Sequence, residues 1–313
     1  MKLEQRKDLL GLRELSKEEI ESIIDTAVPM KDIIKRDIKK VPTLRGKALI
    51  TVFYENSTRT RTSFEIAGKY LSADTVNLGV SSSSVQKGES LRDTIKTLEV
   101  MGFDLMVMRH AMSGTPHYVS KNTNIRIINA GDGANEHPTQ ALLDMYTIKE
   151  KKGTLEGLKV AIIGDILHSR VARSNIYGLS KFGCEIRVVA PSTLMPKEVE
   201  KLGVKPYYSL DEALEGVDVV NILRLQKERQ QQALFPTLDE YASLYIINED
   251  KLSRAKEDVL VLHPGPMNRG IEISSRIADS TQALINEQVT NGVAVRMALL
   301  FLMMGGSRNE IAN

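Results

Sequence analysis

The feature of this sequence that most constrains its fold is an alternation of short apolar runs with amphipathic stretches along all 313 residues. The apolar runs are rich in β-branched residues, whereas the amphipathic stretches repeat their apolar positions at helical spacing. Alternation of this kind is typical of α/β proteins, in which helices cross over between parallel strands. The runs are nearly continuously apolar, as expected of strands that helices cover on both faces. We predict two doubly wound domains, each with a mainly parallel sheet flanked by helices.

Eight apolar runs are predicted as strands, four in each domain: residues 48–54, 75–80, 104–109, 125–130, 159–163, 185–190, 217–223 and 259–262. Five amphipathic stretches are predicted as crossover helices: residues 62–71, 91–101, 139–151, 169–182 and 238–256. A helical stretch over residues 138–152 connects the two sheets, and a further helix over 282–304 closes the chain. The predicted fold therefore has two similar halves joined by a helix.

Charge and composition exclude several classes of protein. Lys and Arg number 42 against 40 for Asp and Glu, so the net charge of +2 is too small for a nucleic-acid or anionic-membrane footprint. The single cysteine, Cys184, excludes an intramolecular disulfide and a cysteine-based zinc site, and it favours a cytoplasmic location. The longest apolar run, 298–304, is far shorter than the roughly 20 residues that span a bilayer. With five scattered histidines and no recognisable metal or dinucleotide motif, we expect neither a metal nor a cofactor.

Polar clusters follow six of the predicted strands. Ligands of open α/β sheets bind beyond the carboxyl ends of the strands, so these positions are the candidates for function. The clusters occupy residues 55–61, 109–110, 131–140, 164–170, 224–226 and 263–266. They contain more cationic side chains than structural needs explain. We therefore expect an anionic ligand at these strand ends.

In the first half, the string S-T-R-T-R over residues 57–61 lies where a strand passes into a helix. Backbone N–H groups, hydroxyls and a guanidinium can converge there on a phosphate. The alternative is an ordinary N-cap serine followed by solvated arginines. Arg109 at the next strand end is either an anion ligand or a salt-bridged arginine. His137 and Gln140, one helical turn apart, can point at one small polar group, although a buried loop histidine is the alternative for His137.

In the second half, Arg170 and Arg224 follow separate strands, and two guanidinium forks suit a dicarboxylate. Gln226 would add a neutral donor. The alternative is that both arginines pair with carboxylates of their own domain, for which Asp165 and Glu228 are available.

Two loop features complete the candidate site. The carbonyls around Gly265 and Pro266 can accept from a substrate amide, although an ordinary turn is the alternative. Lys87 follows a serine-rich segment, residues 81–84, that could close over a ligand, whereas a solvated charge is the alternative.

Taken together, these motifs resemble those of the aspartate/ornithine carbamoyltransferases, and in particular the catalytic chains of the enzymes that use aspartate. The resemblance covers essentially the whole chain. It is carried by F-Y-E-N-S-T-R-T-R-T-S-F-E at 53–65, K-G-E-S at 87–90, V-M-R-H at 107–110, G-D-G-A-N-E-H-P-T-Q at 131–140, R-L-Q-K-E-R at 224–229 and H-P-G-P at 263–266. Ornithine enzymes typically have H-P-C-Q where this chain has H-P-T-Q at 137–140, and H-C-L-P where it has H-P-G-P at 263–266. A second arginine would also repel the ammonium group of ornithine.

The resemblance implies transfer of a carbamoyl group from carbamoyl phosphate to the α-amine of L-aspartate, in de novo pyrimidine biosynthesis, with the active site in the cleft between two domains. Residues 1–137 would bind carbamoyl phosphate, the helix 288–313 would pack back on them, and residues 138–287 would bind aspartate. A homotrimer with shared active sites is also implied. Whether regulatory or dihydroorotase chains bind that trimer stays open. A binding module without chemistry and an ornithine enzyme are the competing hypotheses.

By resemblance, the residues of the carbamoyl phosphate site would be Ser57, Thr58, Arg59, Thr60, Arg109, His137, Gln140, Gly265 and Pro266. The residues of the aspartate site would be Lys87, Arg170, Arg224 and Gln226. The catalytic residues among them would be Arg59, Thr60, Lys87, Arg109 and His137. Ser83 and Lys87 would come from a neighbouring subunit.

Overall fold

The computed structural model describes residues 3–79, 88–225 and 237–305. The chain divides into two compact units: unit 1 comprises Met1–Leu143 with Thr290–Asn313, and unit 2 comprises Asp144–Val289. Each unit contains one sheet, and every pair of neighbouring strands in both sheets is parallel. The predicted α/β class with two parallel sheets is therefore confirmed.

Unit 1 is built on a four-stranded sheet. Its elements are α1 (Lys17–Lys35), β1 (Ala48–Phe53), α2 (Thr58–Tyr70), β2 (Asp74–Gly79), α3 (Leu91–Val100), β3 (Leu105–His110), α4 (Thr115–Ser120), β4 (Arg126–Asp132) and the first part of α5 (Pro138–Lys152). The strand order is β2-β1-β3-β4. Because β1 and β3 are the central strands, the residues that follow them lie side by side at the carboxyl edge of the sheet.

The core of unit 1 follows from the alternation of side chains along its strands. Alternate residues of β1 and β3 pack with α3 and α4 in one fully apolar cluster: Ile50, Val52, Ile95, Leu98, Met106, Met108, Val119, Ile125 and Ile127. Burying each such side chain contributes roughly 1.5–3 kcal/mol. A segment near the N-terminus extends this sheet, since Leu9 pairs in parallel with Ile128 of β4.

Unit 2 is built on a five-stranded sheet. Its elements are β5 (Lys159–Ile163), α6 (Arg170–Ser180), β6 (Glu185–Val189), β7 (Lys205–Tyr207), α7 (Leu210–Ala213), β8 (Val219–Ile222), α8 (Leu238–Tyr245), α9 (Glu249–Leu252), β9 (Leu260–Leu262), α10 (Ser275–Ala278) and the beginning of α11 (Ile285–Met303), up to Val289. The strand order is β7-β6-β5-β8-β9. The strands β5 and β8 are therefore neighbours.

Three details of the predicted fold are wrong. The second sheet has five strands rather than four, because β7 is a three-residue strand with Pro206 in its middle and shows no apolar run. The helix predicted over 238–256 is two short helices, since Asn248 caps α9 and Ile247 leaves the helical path to pair with Ile273. Tertiary pairing overrode a continuous helical pattern at this point. The helix α2 also begins at Thr58, four residues before the predicted start.

The helices α5 and α11 each contribute residues to both units. In the described part of the chain, every helix is too short or too polar to cross a lipid bilayer.

Candidate active site

The junction between β1 and α2 carries the predicted phosphate-binding residues of unit 1. Ser57 occupies the N-cap position of α2, but its side chain makes no capping hydrogen bond. In contrast, Ser16, Ser90 and Ser169 at the starts of α1, α3 and α6 each accept a hydrogen bond from the first helical turn. The alternative of an ordinary N-cap serine therefore does not describe the Ser57 side chain. Its hydroxyl lies at a helix N-terminus, which stabilises anions.

The two arginines of the same motif have different environments. Arg59 is exposed, and among the residues that the structure describes it pairs with no carboxylate. Arg61 lies two residues further along α2, and its Nε is 3.8 Å from Oε1 of Glu65, which is one helical turn towards the C-terminus. Thr60 between them is buried, at 6 % exposure. Of the two cations, Arg59 is thus the one available to an incoming anion.

Arg109 lies at the end of β3, beside β1 in the sheet. Its Nη2 donates to Glu55 Oε1 at 2.7 Å, and its Nη1 donates to the Ala130 carbonyl oxygen at 3.3 Å. The salt-bridged alternative is therefore realised for Arg109. The pairing also places this guanidinium at the carboxyl edge of the sheet, where a ligand oxygen would compete with Glu55.

His137 and Gln140 begin the helix α5. The carbonyl oxygen of His137 accepts from the backbone N–H groups of Gln140, at 3.0 Å, and Ala141, at 3.3 Å. Both predicted side chains are buried, at 4 % and 8 % exposure. The two residues therefore lie at the start of a helix, in agreement with the prediction that they are one helical turn apart.

A buried polar network holds the loop before His137. Asp132, fully buried at the end of β4, accepts from Asn129 Nδ2 at 2.8 Å and from the Glu136 backbone N–H at 3.2 Å. The Glu136 carboxylate in turn accepts from the backbone N–H of Leu12 at 2.7 Å. The segment near the N-terminus is thereby attached to the residue that precedes His137. Sequence reasoning assigned no role to Glu136.

Burial changes the acid–base character of two rings beside Arg109. Burial lowers the pKa of His110 below its usual value and raises the pKa of the Tyr54 phenol. Their ring centroids lie 4.9 Å apart. The Met112 N–H donates to His110 Nδ1 at 2.9 Å, which places the proton of the neutral ring on Nε2. The site of unit 1 therefore contains a histidine that stays neutral to lower pH than a solvated one.

In unit 2, Arg170 is the first residue of α6 and is 97 % buried, with 3 % exposure. Ser169 before it accepts from the Ala172 N–H at 3.1 Å and so caps the helix. Asp165, the carboxylate suggested as a partner for Arg170, accepts from the His168 backbone N–H at 3.0 Å and contacts His168 Nδ1 at 2.9 Å.

Arg224 follows β8, the neighbour of β5. The two strands approach closely at their ends, because a Cβ on Gly164 would lie 3.0 Å from Leu223 Cβ. Gly164 also has φ +129°, a conformation that other residues rarely adopt. This glycine lets the loop after β5 pack directly against the residue that precedes Arg224. The two arginines therefore belong to adjacent strand ends of one sheet.

The third polar segment of unit 2 is the turn after β9. Gly265 and Pro266 are joined by a cis peptide bond, and the Gly265 N–H donates to His263 Nδ1 at 2.9 Å. Pro266 is exposed, so its carbonyl lies in a surface turn at the same sheet edge as Arg224. The backbone bends at Gly265, and the side chain that accepts from its N–H belongs to a buried residue, His263.

Some predicted residues lie outside the described part of the chain, namely Ser83, Lys87 and Gln226, together with Glu228. Three carboxylates were missed as parts of the site: Glu55, Glu136 and Glu272. In the sequence Glu136 directly precedes His137 and Glu55 lies two residues before Ser57, which is a signal that sequence reasoning could have used. Glu272 carries no such signal, because its contacts depend on the tertiary fold.

The chemistry of the two half-sites differs. Unit 1 offers hydroxyls, a helix N-terminus and the guanidiniums of Arg59 and Arg109, a set that suits a phosphate group with an adjoining carbonyl. Unit 2 offers the guanidiniums of Arg170 and Arg224, which suit carboxylates. Among the described residues, no three or more His, Cys, Asp or Glu side chains are grouped as metal ligands. The donors present are those of anion recognition.

Two family models match the chain. The model for the carbamoyl phosphate binding domain of aspartate/ornithine carbamoyltransferases matches residues 7–150, and the model for the aspartate/ornithine binding domain matches residues 156–303. The chain belongs to the aspartate/ornithine carbamoyltransferase family.

Relatives within this family match the chain over nearly its whole length. The aspartate carbamoyltransferase catalytic subunit of Syntrophomonas wolfei is 82 % identical over 311 residues, which cover 99 % of each chain. That of Heliobacterium modesticaldum is 66 % identical and covers 97 % of each chain. The aspartate transcarbamoylase of Trypanosoma cruzi in complex with carbamoyl phosphate and aspartate has a TM-score of 0.88 at 32 % identity, covering 95 % of this chain and 97 % of the other.

Proposed function

We propose that this chain transfers the carbamoyl group of carbamoyl phosphate to the α-amine of L-aspartate, giving N-carbamoyl-L-aspartate and phosphate. The observation that carries the proposal is that the two units offer different anion-binding groups. Unit 1 has a helix start suited to phosphate, and unit 2 has arginines suited to carboxylates. The relatives named above are aspartate carbamoyltransferases, and one of them binds both of these substrates.

In unit 1, Ser57, Thr58, Arg59 and Thr60 hold the phosphate group. Each belongs to the first turn of α2 or to its N-cap, where backbone N–H groups and hydroxyls point at an anion. Thr60, Arg109 and His137 donate to the carbonyl oxygen of the carbamoyl group. Gln140 and the carbonyl of Pro266, next to Gly265, hold its amide.

In unit 2, Arg170 and Arg224 hold the two carboxylates of aspartate, with Gln226 as a neutral donor. The two arginines differ in burial, since Arg170 is almost fully buried and Arg224 is half-buried. Ornithine has an ammonium group in place of the side-chain carboxylate, and this group would face a guanidinium. Aspartate is therefore the preferred acceptor.

The mechanism follows from bringing two anions together. The neutral α-amine attacks the carbonyl carbon, a C–N bond forms, and the carbonyl oxygen becomes an oxyanion that Thr60, Arg109 and His137 stabilise. The C–O bond to phosphate then breaks, and the leaving phosphate accepts the proton that the amine loses. Each donor to the oxyanion is worth roughly 3–4 kcal/mol in comparable sites. Positioning supplies the remaining acceleration, and no covalent enzyme intermediate is required.

For Arg109, this mechanism includes a shared guanidinium. Its Nη2 is bonded to Glu55 Oε1 at 2.7 Å, and the guanidinium has five N–H donors, so the carbonyl oxygen and this carboxylate compete for one positive charge. As negative charge develops on the oxygen, the competition shifts towards the substrate, which strengthens the interaction in the transition state more than in the ground state.

We further propose a cytoplasmic homotrimer in which Ser83 and Lys87 of a neighbouring subunit complete each site. Support comes from the family resemblance and from the exposed edge strand β2, which directly precedes these residues and has Val76 47 % exposed. No regulatory or dihydroorotase chain is part of this proposal. Mixing Arg59→Ala subunits with Lys87→Ala subunits tests it, since shared sites would restore activity to an inactive pair of variants. Permanently inactive mixtures would contradict shared sites.

The test of the function is carbamoylation of L-aspartate beside L-ornithine, with phosphate release measured in the same reaction. We expect N-carbamoyl-L-aspartate and phosphate in equal amounts and little product from ornithine. Binding of carbamoyl phosphate without phosphate release would favour the binding module. Preferential use of ornithine would assign the chain to the other branch of the family.

A further inference from the structure

The turn after β9 rests on a buried histidine and a buried glutamate that the proposed mechanism does not use. His263 follows β9 and is 1 % exposed, and Glu272 lies nine residues later at 1 % exposure. His263 Nε2 and Glu272 Oε1 are 3.1 Å apart. Burying a carboxylate is costly unless it accepts several hydrogen bonds, so such a pair points to a structural demand at this place.

The hydrogen bonds of His263 define its tautomer. A backbone N–H can only donate, so the bond from the Gly265 N–H to His263 Nδ1, at 2.9 Å, makes Nδ1 an acceptor. The proton of the neutral ring is then on Nε2, and it is donated to Glu272. The ring thus joins Gly265, on the turn, to Glu272, beneath it.

The other end of the turn is attached to the same carboxylate. Glu272 Oε1 accepts from the Asn268 backbone N–H at 2.6 Å, and Oε2 accepts from Asn268 Nδ2 at 3.1 Å. Glu272 therefore binds the turn before Gly265, through His263, and after Pro266, through Asn268. Between these two attachments lies the carbonyl of Pro266.

A second buried chain of hydrogen bonds fixes His263 from behind. Its backbone N–H donates to Gln288 Oε1 at 2.9 Å, and Gln288 Nε2 donates to Asp144 Oδ1 at 2.7 Å. Asp144 and Gln288 are both buried, at 0 % and 3 % exposure. His263 is thus held at its backbone and at both ring nitrogens.

We propose that His263 and Glu272 are positioning residues that set the Pro266 carbonyl for the carbamoyl amide. This rests on the proposed function and deepens it, because the Pro266 carbonyl is, with Gln140, one of the two groups proposed to bind the carbamoyl NH₂. The pair itself does not touch the substrate. The pair therefore strengthens the binding only of ligands that carry the amide.

Ligands that differ only in the amide test this inference. Acetyl phosphate has the phosphate and carbonyl of carbamoyl phosphate but a methyl group in place of NH₂. Inorganic phosphate lacks both the carbonyl and the NH₂ group. His263→Gln can still reach Glu272 but loses the acceptor for Gly265, whereas His263→Asn retains that acceptor and loses Glu272. The KM for carbamoyl phosphate and the inhibition constants of acetyl phosphate and phosphate are measured for each variant.

We expect both His263 variants to raise the KM for carbamoyl phosphate about tenfold, as the loss of an oriented hydrogen bond predicts. The inhibition constants of acetyl phosphate and phosphate should change by less than about twofold, since those ligands offer no amide. Equal weakening of all three ligands, or no change in any, would overturn the inference.

Two further variants keep the test decisive if a buried substitution prevents folding. Asn268→Ala removes one bond to Glu272 at a half-buried position, and we expect the same selective loss at about threefold. Asp279→Ala is the matched control, because it breaks the exposed pair with Arg269, at 2.7 Å, in the same segment without touching the turn. Asp279→Ala should leave all three constants unchanged.

Failure of the proposed function would be seen separately, because the wild-type chain would then not carbamoylate aspartate. The three ligands could still be compared by direct binding to the wild type and the variants.

Discussion

The first strand-to-helix junctions of the two sheets occupy the same place in the topology but differ in how the helix is capped and in how far the arginine is buried. At the β1–α2 junction, Ser57 leaves its hydroxyl out of helix capping and Arg59 is exposed. At the β5–α6 junction, Ser169 caps its own helix and Arg170 is buried. The first junction leaves its helix start to a ligand, which suits phosphate. The second satisfies its own helix start with Ser169 and places a guanidinium there, a group that suits a carboxylate.

The largest effect is expected from the exposed cation of the first junction. Arg59→Ala should lower kcat more than about a hundredfold, because this guanidinium stabilises charge on the departing phosphate, with a smaller change in the KM for aspartate. Initial rates with both substrates varied give the two constants. Arg61→Ala is the control, since Arg61 lies towards Glu65 instead. Near-normal turnover in Arg59→Ala would remove this residue from the phosphate site.

The next effect belongs to the carboxylate side. Arg224→Ala should raise the KM for aspartate at least about tenfold, as expected for loss of a charged hydrogen bond, while kcat changes less. Arg254→Ala, which removes an exposed arginine of unit 2 that pairs with Asp211 at 3.1 Å, is the matched control. Unchanged saturation by aspartate in Arg224→Ala would show that the clamp lies elsewhere.

Substituting the two junction serines tests the comparison itself. Ser57→Ala should raise the KM for carbamoyl phosphate about fivefold without changing thermal stability, because the hydroxyl does not cap its helix. Ser169→Ala should lower the free energy of unfolding by about 1 kcal/mol, the usual cost of losing a cap. If Ser57→Ala were the destabilising variant, the two junctions would not differ as described.

A smaller effect is expected where the segment near the N-terminus supports the first half-site. A Cβ on Gly11 would lie 2.1 Å from Glu136 Oε1, so Gly11→Ala displaces the carboxylate next to His137. We expect a loss of about 1 kcal/mol in the free energy of unfolding, with a modest loss of kcat. In a Glu136→Ala background the substitution should be nearly neutral, since the clash is gone. Full additivity of the two substitutions would contradict a shared contact.

The smallest effect is a pH dependence from unit 1. Burial lowers the pKa of His110 from 6.5 in the folded state, so below that value the unfolded chain takes up a proton before the folded chain does. The contribution to stability is present above pH 6.5 and is lost as the pH falls towards the lower folded-state pKa. Melting temperatures at about pH 7.5 and about pH 5.5 should differ less in His110→Asn than in wild type. An equal difference in both would show that His110 does not contribute.

Much of the fold could be predicted because its signals are local. The strands β1 and β5 match their apolar runs closely, and the parallel pairing of β1 with β2 and of β5 with β6 follows from the helix between the two strands of each pair. The strand β7 could not be found, since its three residues gain their place from pairing with β6 rather than from a pattern. The break between α8 and α9 likewise depends on Ile273, which is remote in sequence.

The candidate site shows the same division. Ser57, Arg109 and Arg170 were predicted from their positions after strands, and the structure places each at a strand end or helix start. The carboxylates that hold them and their neighbours were not predicted. Glu272 contacts His263 because the turn between them brings the chain back, and no spacing in the sequence predicts this contact. The cations proposed to bind ligand are thus visible in sequence, whereas the carboxylates that contact them or their neighbours are defined by tertiary contacts.

The central claim is that the phosphate-type and carboxylate-type half-sites act on one pair of substrates. Calorimetric binding of a compound that joins a phosphonate covalently to the amine of L-aspartate tests it most directly. We predict affinity at least about a hundredfold greater than that of inorganic phosphate, because the second half binds at high effective concentration. Both Arg59→Ala and Arg224→Ala should weaken this binding strongly. Affinity no greater than that of phosphate, and insensitive to Arg224→Ala, would contradict the account.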